Sequence, residues 1–235
     1  MKLLALDSTA VAASCAILED GVLKGEFFIN TKLTHSQTLM PMVQALLQNT
    51  CISPEEIDVF AVAAGPGSFT GVRIGVAAVK GMAMAADKPC VSVSALEAMA
   101  YLLTSCDCYV CAVMDARCNQ VYQAMFEIKN GEVHRLYGDR AIAIDDLKEE
   151  LKKESGFQKK PFFLVGDGAS LCYNRISSEF PFVKCAPTHL LYQHASGVAL
   201  AAFERYPAGC VSAGELLPVY LRLPQAQREL LKRKQ

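Results

Sequence analysis

Apolar positions along the chain fall into short unbroken runs that alternate with longer stretches of helical period. Lys2–Leu6 is a strand-like run that ends at Asp7-Ser8-Thr9. Ala12–Leu18 and Val22–Ile29 follow, parted by Glu19-Asp20-Gly21, and read as a hairpin. Thr34-His35-Ser36-Gln37 has the form of a capping box. It opens a helix, about Gln37–Asn49, in which Leu39, Met40, Val43, Leu46 and Leu47 share one face, with Pro41 in its first turns or bending it. Ser53-Pro54-Glu55-Glu56 starts a helical turn leading into the apolar strand Val59–Ala64. The stretch Gly71–Asp87 is apolar almost all round, broken only by Arg73 and Lys80. Such a helix is expected to be covered on all sides, by a sheet on one side and by something else on the other. Cys90–Val93 is a further strand, with a helix from about Ala95.

The pattern then starts again. Tyr109–Met114 is an apolar strand ending at Asp115-Ala116-Arg117, and Gln120–Ile128 follows. Lys129-Asn130-Gly131 is a type I′ hairpin signal. Phe162–Val165 empties into Gly166-Asp167-Gly168, much as the earlier strand empties into Gly65-Pro66-Gly67. Strand, aspartate and hairpin, then strand, glycine turn and helix, therefore occur twice in the same order. A period of roughly 100 residues means two lobes rather than a solenoid. Asp145–Lys160, rich in Glu and Lys, reads as a solvated helix and loop, and Tyr192–Tyr206 as a small-sided helix. The tail Leu223–Gln235 is basic through Arg228, Lys232, Arg233 and Lys234.

The most distinctive stretch is Gly65-Pro66-Gly67-Ser68-Phe69-Thr70-Gly71-Val72-Arg73-Ile74-Gly75. A strand feeding a glycine loop and a helix N-terminus offers free backbone N–H groups and the positive end of a helix dipole, a setting for an anion. The run is not a P-loop, because Val72-Arg73 stands where Lys-Ser/Thr is needed, and Thr70 occupies the third glycine position of a dinucleotide fingerprint. A tight turn with close helix–strand packing explains it equally well. Arg73 in a first helical turn is disfavoured by the dipole unless an anion sits beside it.

Composition narrows the classes. The 235 residues carry a net charge of −1 and are 52% apolar, so a large core is available and no global field draws in nucleic acid. No apolar run reaches about 18 residues, so no bilayer span is expected. Asp7 interrupts the start of what could pass for a signal peptide. Ten cysteines, mostly within apolar runs, read as reduced thiols in a cytoplasm. Cys106, Cys108, Cys111 and Cys118 form one ragged knuckle where structural zinc wants two. His189 and His194, five apart, do not share a helix face.

Two duplicated lobes, each with an aspartate at its first hairpin and a facing glycine turn, resemble the actin-like ATPase superfamily. Leu6-Asp7-Ser8-Thr9, His35-Ser36-Gln37 with Pro41-Met42-Val43, the whole Gly65–Gly75 run, Asp115-Ala116-Arg117 with Val121-Tyr122, and Pro218-Val219-Tyr220-Leu221-Arg222 sharpen this. They resemble the TsaB (YeaZ) family of bacterial tRNA threonylcarbamoyladenosine biosynthesis proteins.

The resemblance implies an α/β fold of two duplicated actin-like, RNase H-like lobes, each a mixed five-stranded sheet with flanking helices. Residues 1–103 with about 190–222 would form the first, partner-binding lobe, 104–189 the second, and 223–235 a tail. It implies a vestigial nucleotide cleft at Asp7, Ser8, Thr9, Gly65, Gly67, Ser68, Thr70, Arg73 and Asp115. The catalytic relative, TsaD, carries a His-x-x-x-His metal pair, and Ala95 and Met99 align with those histidines, so no metal, cofactor or catalytic residue is expected here. The implied role is that of a non-catalytic partner of TsaD, with the P-loop ATPase TsaE as a third component and tRNA met only through the complex. Leu39, Met40, Val43, Leu47, Val72, Val76, Val79 and Met82 would form the seam of a four-helix interface, which could also pair with a second copy of the chain. An ATP-hydrolysing actin-like enzyme is the alternative reading. A metallopeptidase is a weaker one, since the His-Glu-x-x-His helix is missing.

Overall fold

The computed structural model describes residues 1–31 and 33–222. The basic tail 223–235 lies outside the described residues. The first unit runs β1 (Lys2–Asp7), β2 (Ala13–Glu19), β3 (Val22–Ile29), α1 (His35–Thr50), β4 (Val59–Gly65), α2 (Phe69–Ala86), β5 (Cys90–Ser94) and α3 (Ala95–Tyr101). The second runs β6 (Cys108–Arg117), β7 (Gln120–Lys129), β8 (Glu132–Ala143), α4 (Ile144–Lys153), β9 (Phe162–Val165), α5 (Ala169–Ile176), β10 (Val183–Cys185) and α6 (Ala195–Arg205), followed by β11 (Cys210–Val211).

The sheets are ordered β11-β5-β4-β1-β2-β3 and β10-β9-β6-β7-β8. In each, the first strand pairs antiparallel with its hairpin partner and parallel with the strand that carries the glycine turn. The mixed duplicated plan is therefore present. The first sheet also has a sixth strand beyond the five expected, the two-residue β11 at its edge.

Alternation along the strands sorts their side chains into separate cores. Leu4, Leu6, Ile17, Phe60 and Val62 face outward onto α1 and α2. Leu3, Ala5, Ala16 and Ala61 face inward, into one shared core with α3, α6 and the Val110, Ala112 and Phe126 face of the second sheet. Cys111, Val113, Val121 and Leu164 lie on the far side, with α4 and α5. The molecule is thus helix pair, sheet, helix pair, sheet, helix pair.

The central pair is exchanged between units. α3 ends the first unit and packs on β6 and β7 as well as on its own β4 and β5, while α6 ends the second and packs on β1 and β2. Their backbones nearly touch where they cross: a Cβ on Gly197 would lie 2.1 Å from the Ala98 carbonyl oxygen. An outer-strand carboxylate holds the start of each exchanged helix. Glu26 on β3 accepts from the Ser196 N–H at 2.9 Å, and Asp139 on β8 accepts from Ser94 Oγ at 2.6 Å. Across the back, Arg135 reaches Glu97 at 2.9 Å, and Glu97 is also paired with Arg205.

Some local expectations differ from the structure. Thr34 is the N-cap residue of α1, but its side chain makes no capping bond; its carbonyl accepts from the Gln37 N–H instead. The 145–160 stretch is only half solvated, because α4 buries Ile144, Leu147 and Leu151, and Phe157 joins the same core. Among the described residues one helix, α2, is long and apolar enough to cross a bilayer by length and composition alone. It carries Arg73 and Lys80, however, and lies on the first sheet through Val72, Val76, Val79 and Ala83.

Candidate functional site

β1 and β6 each end on an aspartate that accepts a hydrogen bond from the backbone two residues on. Asp7 Oδ1 takes the Thr9 N–H at 2.8 Å, and Asp115 Oδ1 takes the Arg117 N–H at 2.7 Å. Both are local turn bonds of the kind that favours Asp at such corners. There the likeness ends. Asp7 is fully buried, its Oδ2 has no partner, and burial pushes its carboxyl up to about 6, against the bonds from Thr9 that hold it down. Asp115 is exposed and lines the cleft between the lobes.

The cleft encloses about 730 Å³. Thr9, Gly67, Ser68 and Thr70 line one wall, Asp115, Arg117, Tyr122 and Asp167 the other, and residues 219–222 cross its mouth. Four expected cleft residues do not line it. Asp7 lies beneath. Ser8 is turned toward α2 and donates to the Gly71 carbonyl at 2.9 Å. Gly65 is covered by the chain at Val219, whose N–H donates to the neighbouring Ala64 carbonyl at 2.7 Å. Arg73 points outward: its guanidinium sits 3.9 Å from the Phe69 ring centre, and its Nε donates to the Tyr220 hydroxyl at 2.8 Å. Two aromatic faces, not an anion, answer the objection to a cation at this helix start.

Asp167 was missed by the sequence reasoning. It occupies the place of Pro66 in the second glycine turn and accepts from the Asp115 N–H at 3.3 Å. Burial pushes its carboxyl up to about 6, with the Asp115 charge adding to that and the N–H bond opposing it. An acid in the second of two matched glycine turns was the available signal.

The actin-like plan implies a nucleotide and its metal in such a cleft, and the residues do not fit them. The first glycine turn is filled by the chain itself. A Cβ on Gly67 would lie 2.3 Å from the Thr9 carbonyl oxygen, which also accepts the Ser68 N–H at 2.7 Å. That amide would be needed by a phosphate. Ala95 and Met99, aligned with the relative's histidine pair, are fully buried in the core between the lobes. Among the described residues no three His, Cys, Asp or Glu side chains gather into a metal-binding group. Cys106 and Cys118 flank opposite ends of the ten-residue β6. His194 stacks on Phe28 at 4.2 Å and meets Glu26 at 3.2 Å.

The other candidate surface is the outer flank of the first lobe. α1 and α2 enclose a groove of about 470 Å³, lined by Met40, Val43, Leu47, Met82 and Ala85. Part of the expected seam is not on the surface. Leu39, Val72, Val76 and Val79 are buried in the lobe's own core, and Val43 only floors the groove. Met40, Leu47 and Met82 do reach the open side. On α2 the exposed stripe is Arg73, Ala77, Gly81 and Met84, with Met84 at 68% exposure. A helix apolar all round gives no period from which to tell its inner face from its outer one.

Comparison with known proteins places these features. The family model described as "TsaD: tRNA N6-adenosine threonylcarbamoyltransferase" matches residues 30–227. A tRNA threonylcarbamoyladenosine biosynthesis protein TsaB from Bacillus subtilis is 31% identical, over 97% of this chain and 96% of its own. Its namesake in Haemophilus influenzae is 31% identical over 94% of each. The solved structure of YeaZ from Pseudomonas aeruginosa superposes with a TM-score of 0.75 at 29% identity, covering 94% of this chain and 99% of that one.

Proposed function

The chain belongs to the TsaB family, and from that premise we propose that it serves tRNA threonylcarbamoyladenosine biosynthesis as a non-catalytic subunit. It binds and stabilises TsaD, the subunit that transfers the threonylcarbamoyl group to adenosine 37 of tRNAs reading codons that begin with A. TsaE joins as the third component, and tRNA is met through the assembled complex in the cytoplasm.

The observation that carries this reading is the contrast between a cleft whose first glycine turn is already occupied by the chain and an open apolar flank. The turn that would cradle phosphate is packed against Thr9, and Asp7 is shut away beneath it. The flank exposes small apolar residues of α2 beside an apolar groove. Small side chains admit a second helix pair at close range. The TsaD family model spans α1 and α2 of this chain, so the proposed partner has counterparts of the same two helices. Like then meets like in a four-helix seam, the arrangement that a two-fold or pseudo-two-fold contact produces.

The test is to mix this chain with TsaD of the same organism and measure mass and tRNA modification for each alone and together. A one-to-one complex, with modification that needs both chains, is the expected result. Sustained magnesium-dependent ATP turnover by the purified chain alone would overturn the non-catalytic reading. Two separate masses in the mixture would overturn the partnership.

A further inference from the structure

Beyond β11 the chain makes a turn, with the Glu215 and Leu216 N–H groups donating to the Ser212 carbonyl, and then runs along α2. The strap, residues 212–222, is fixed there by two cations from the helix. Lys80 Nζ donates to the Gly214 and Leu216 carbonyls, both at 3.1 Å, and Arg73 Nε donates to the Tyr220 hydroxyl. Arg73 and Lys80 are seven residues apart and so lie on one side of α2. Met82 and Ala85, on the opposite side, line the groove with α1. Between them runs the exposed stripe of Ala77, Gly81 and Met84. The outer flank therefore has three elements side by side: α1, α2 and the strap. The strap brings exposed bulk beside it, with Leu217 at 66% exposure, and then Val219 at 47% and Tyr220 at 38% where it reaches the mouth of the cleft.

We infer that this strap is the third element of the TsaD-binding surface, with the Tyr220–Phe69–Arg73 stack as its anchor. The inference rests on the partnership proposed above. Ala77, Gly81 and Ala85 bury little area apiece, and binding energy concentrates in large preorganised residues, among which Tyr and Arg are prominent. Tyr220 is already held, its ring centre 4.6 Å from that of Phe69 and its hydroxyl bonded to Arg73. It can dock without losing rotamer freedom. The face is continuous with the α1–α2 groove, and the TsaD family model also spans the strap. The occupant is therefore the matching flank of TsaD. The strap also reaches the cleft, because Arg222 donates to the Ala116 carbonyl at 2.6 Å on the second lobe. A partner seated on the flank thus touches the cleft mouth through this segment.

The experiment compares three full-length variants for affinity to TsaD by titration calorimetry: Leu217→Asp, Tyr220→Ala and Ala77→Glu. Thermal melts confirm that each is folded. The two strap variants are expected to weaken binding at least tenfold, and Ala77→Glu at least as much. Strap variants that bind like wild type while Ala77→Glu fails would overturn the inference and leave the partnership standing. If all three bind like wild type, the flank is not the docking surface: the inference and the four-helix seam fall, while the partnership stands. If the strap variants lose self-association but keep TsaD affinity, the occupant is a second copy of the chain and the inference is overturned.

Discussion

The two outer helix pairs are built alike and finished differently. α1 and α2 cover the first sheet as α4 and α5 cover the second, each burying an apolar side of comparable make-up. On the outside, α4 presents Asp145, Glu149, Lys152 and Lys153, and its Lys148 and Lys152 are both paired with Glu179 beyond α5. α2 presents Ala77, Gly81 and Met84. A solvated flank carries charge because charged groups stay in water at little cost, whereas an apolar flank is retained where something covers it. The two flanks thus differ in finish, one charged and one apolar, and the apolar one is the surface proposed above for a protein partner.

The inner sides should behave alike under attack. Val79→Arg in α2 and Leu147→Arg in α4 each put a cation into a fully packed core. Each is expected to cost about 4 kcal/mol or more, read as loss of the cooperative melt. If Val79→Arg folded normally, α2 would not be seated as described.

A second contrast lies at the ends of the first strands, where Asp7 is sealed and Asp115 is open. Asp7 has a folded pKa raised to about 6 from an ordinary 3.8, so the folded chain holds more protons than the unfolded one between those values. Its contribution to stability is full below about pH 4 and is lost as pH rises through about 6. Asp7→Asn, which keeps an acceptor for Thr9, should gain on wild type across that window by on the order of 3 kcal/mol. Denaturant melts at pH 4, 5, 6 and 7 would read it. A constant difference at all four would mean that Asp7 stays ionised in place.

The outer sides should differ. Ala77→Glu is expected to leave the melting temperature within about 2 °C. It should also weaken association with TsaD by at least tenfold, about 1.4 kcal/mol. The same class of change on the other flank, Lys152→Ala, should alter neither quantity, since exposed ion pairs contribute little. Equal losses from the two flanks would erase the contrast.

Much of the fold was legible because it rests on local pattern. The apolar runs, the Asn130-Gly131 turn and the recurrence of strand, aspartate and glycine turn all survive into the structure. Both aspartates make the same local turn bond, and nothing local distinguishes the buried one from the exposed one. What escaped depends on distant neighbours. The phase of α2 could not be read from a helix with hardly any polar side. The environment of Arg73 depended on Tyr220, more than a hundred residues further along the chain. Asp167 became a cleft residue only when the second glycine turn was brought against Asp115. The place of α6 leaves no trace in periodicity, since α3 and α6 are simply small-sided helices; only the family resemblance, which put about 190–222 with the first lobe, pointed to it.

The exchange of α3 and α6 binds the fate of the two halves together. A chain severed between Tyr101 and Cys108 would give two fragments, each with a naked sheet on one side and an orphaned helix at its end. Neither could hide its inner surface without borrowing from the other. Neither half then has a closed core of its own, and the polypeptide is expected to melt as one body, which would give a partner on the far flank a single stiff block to lean against.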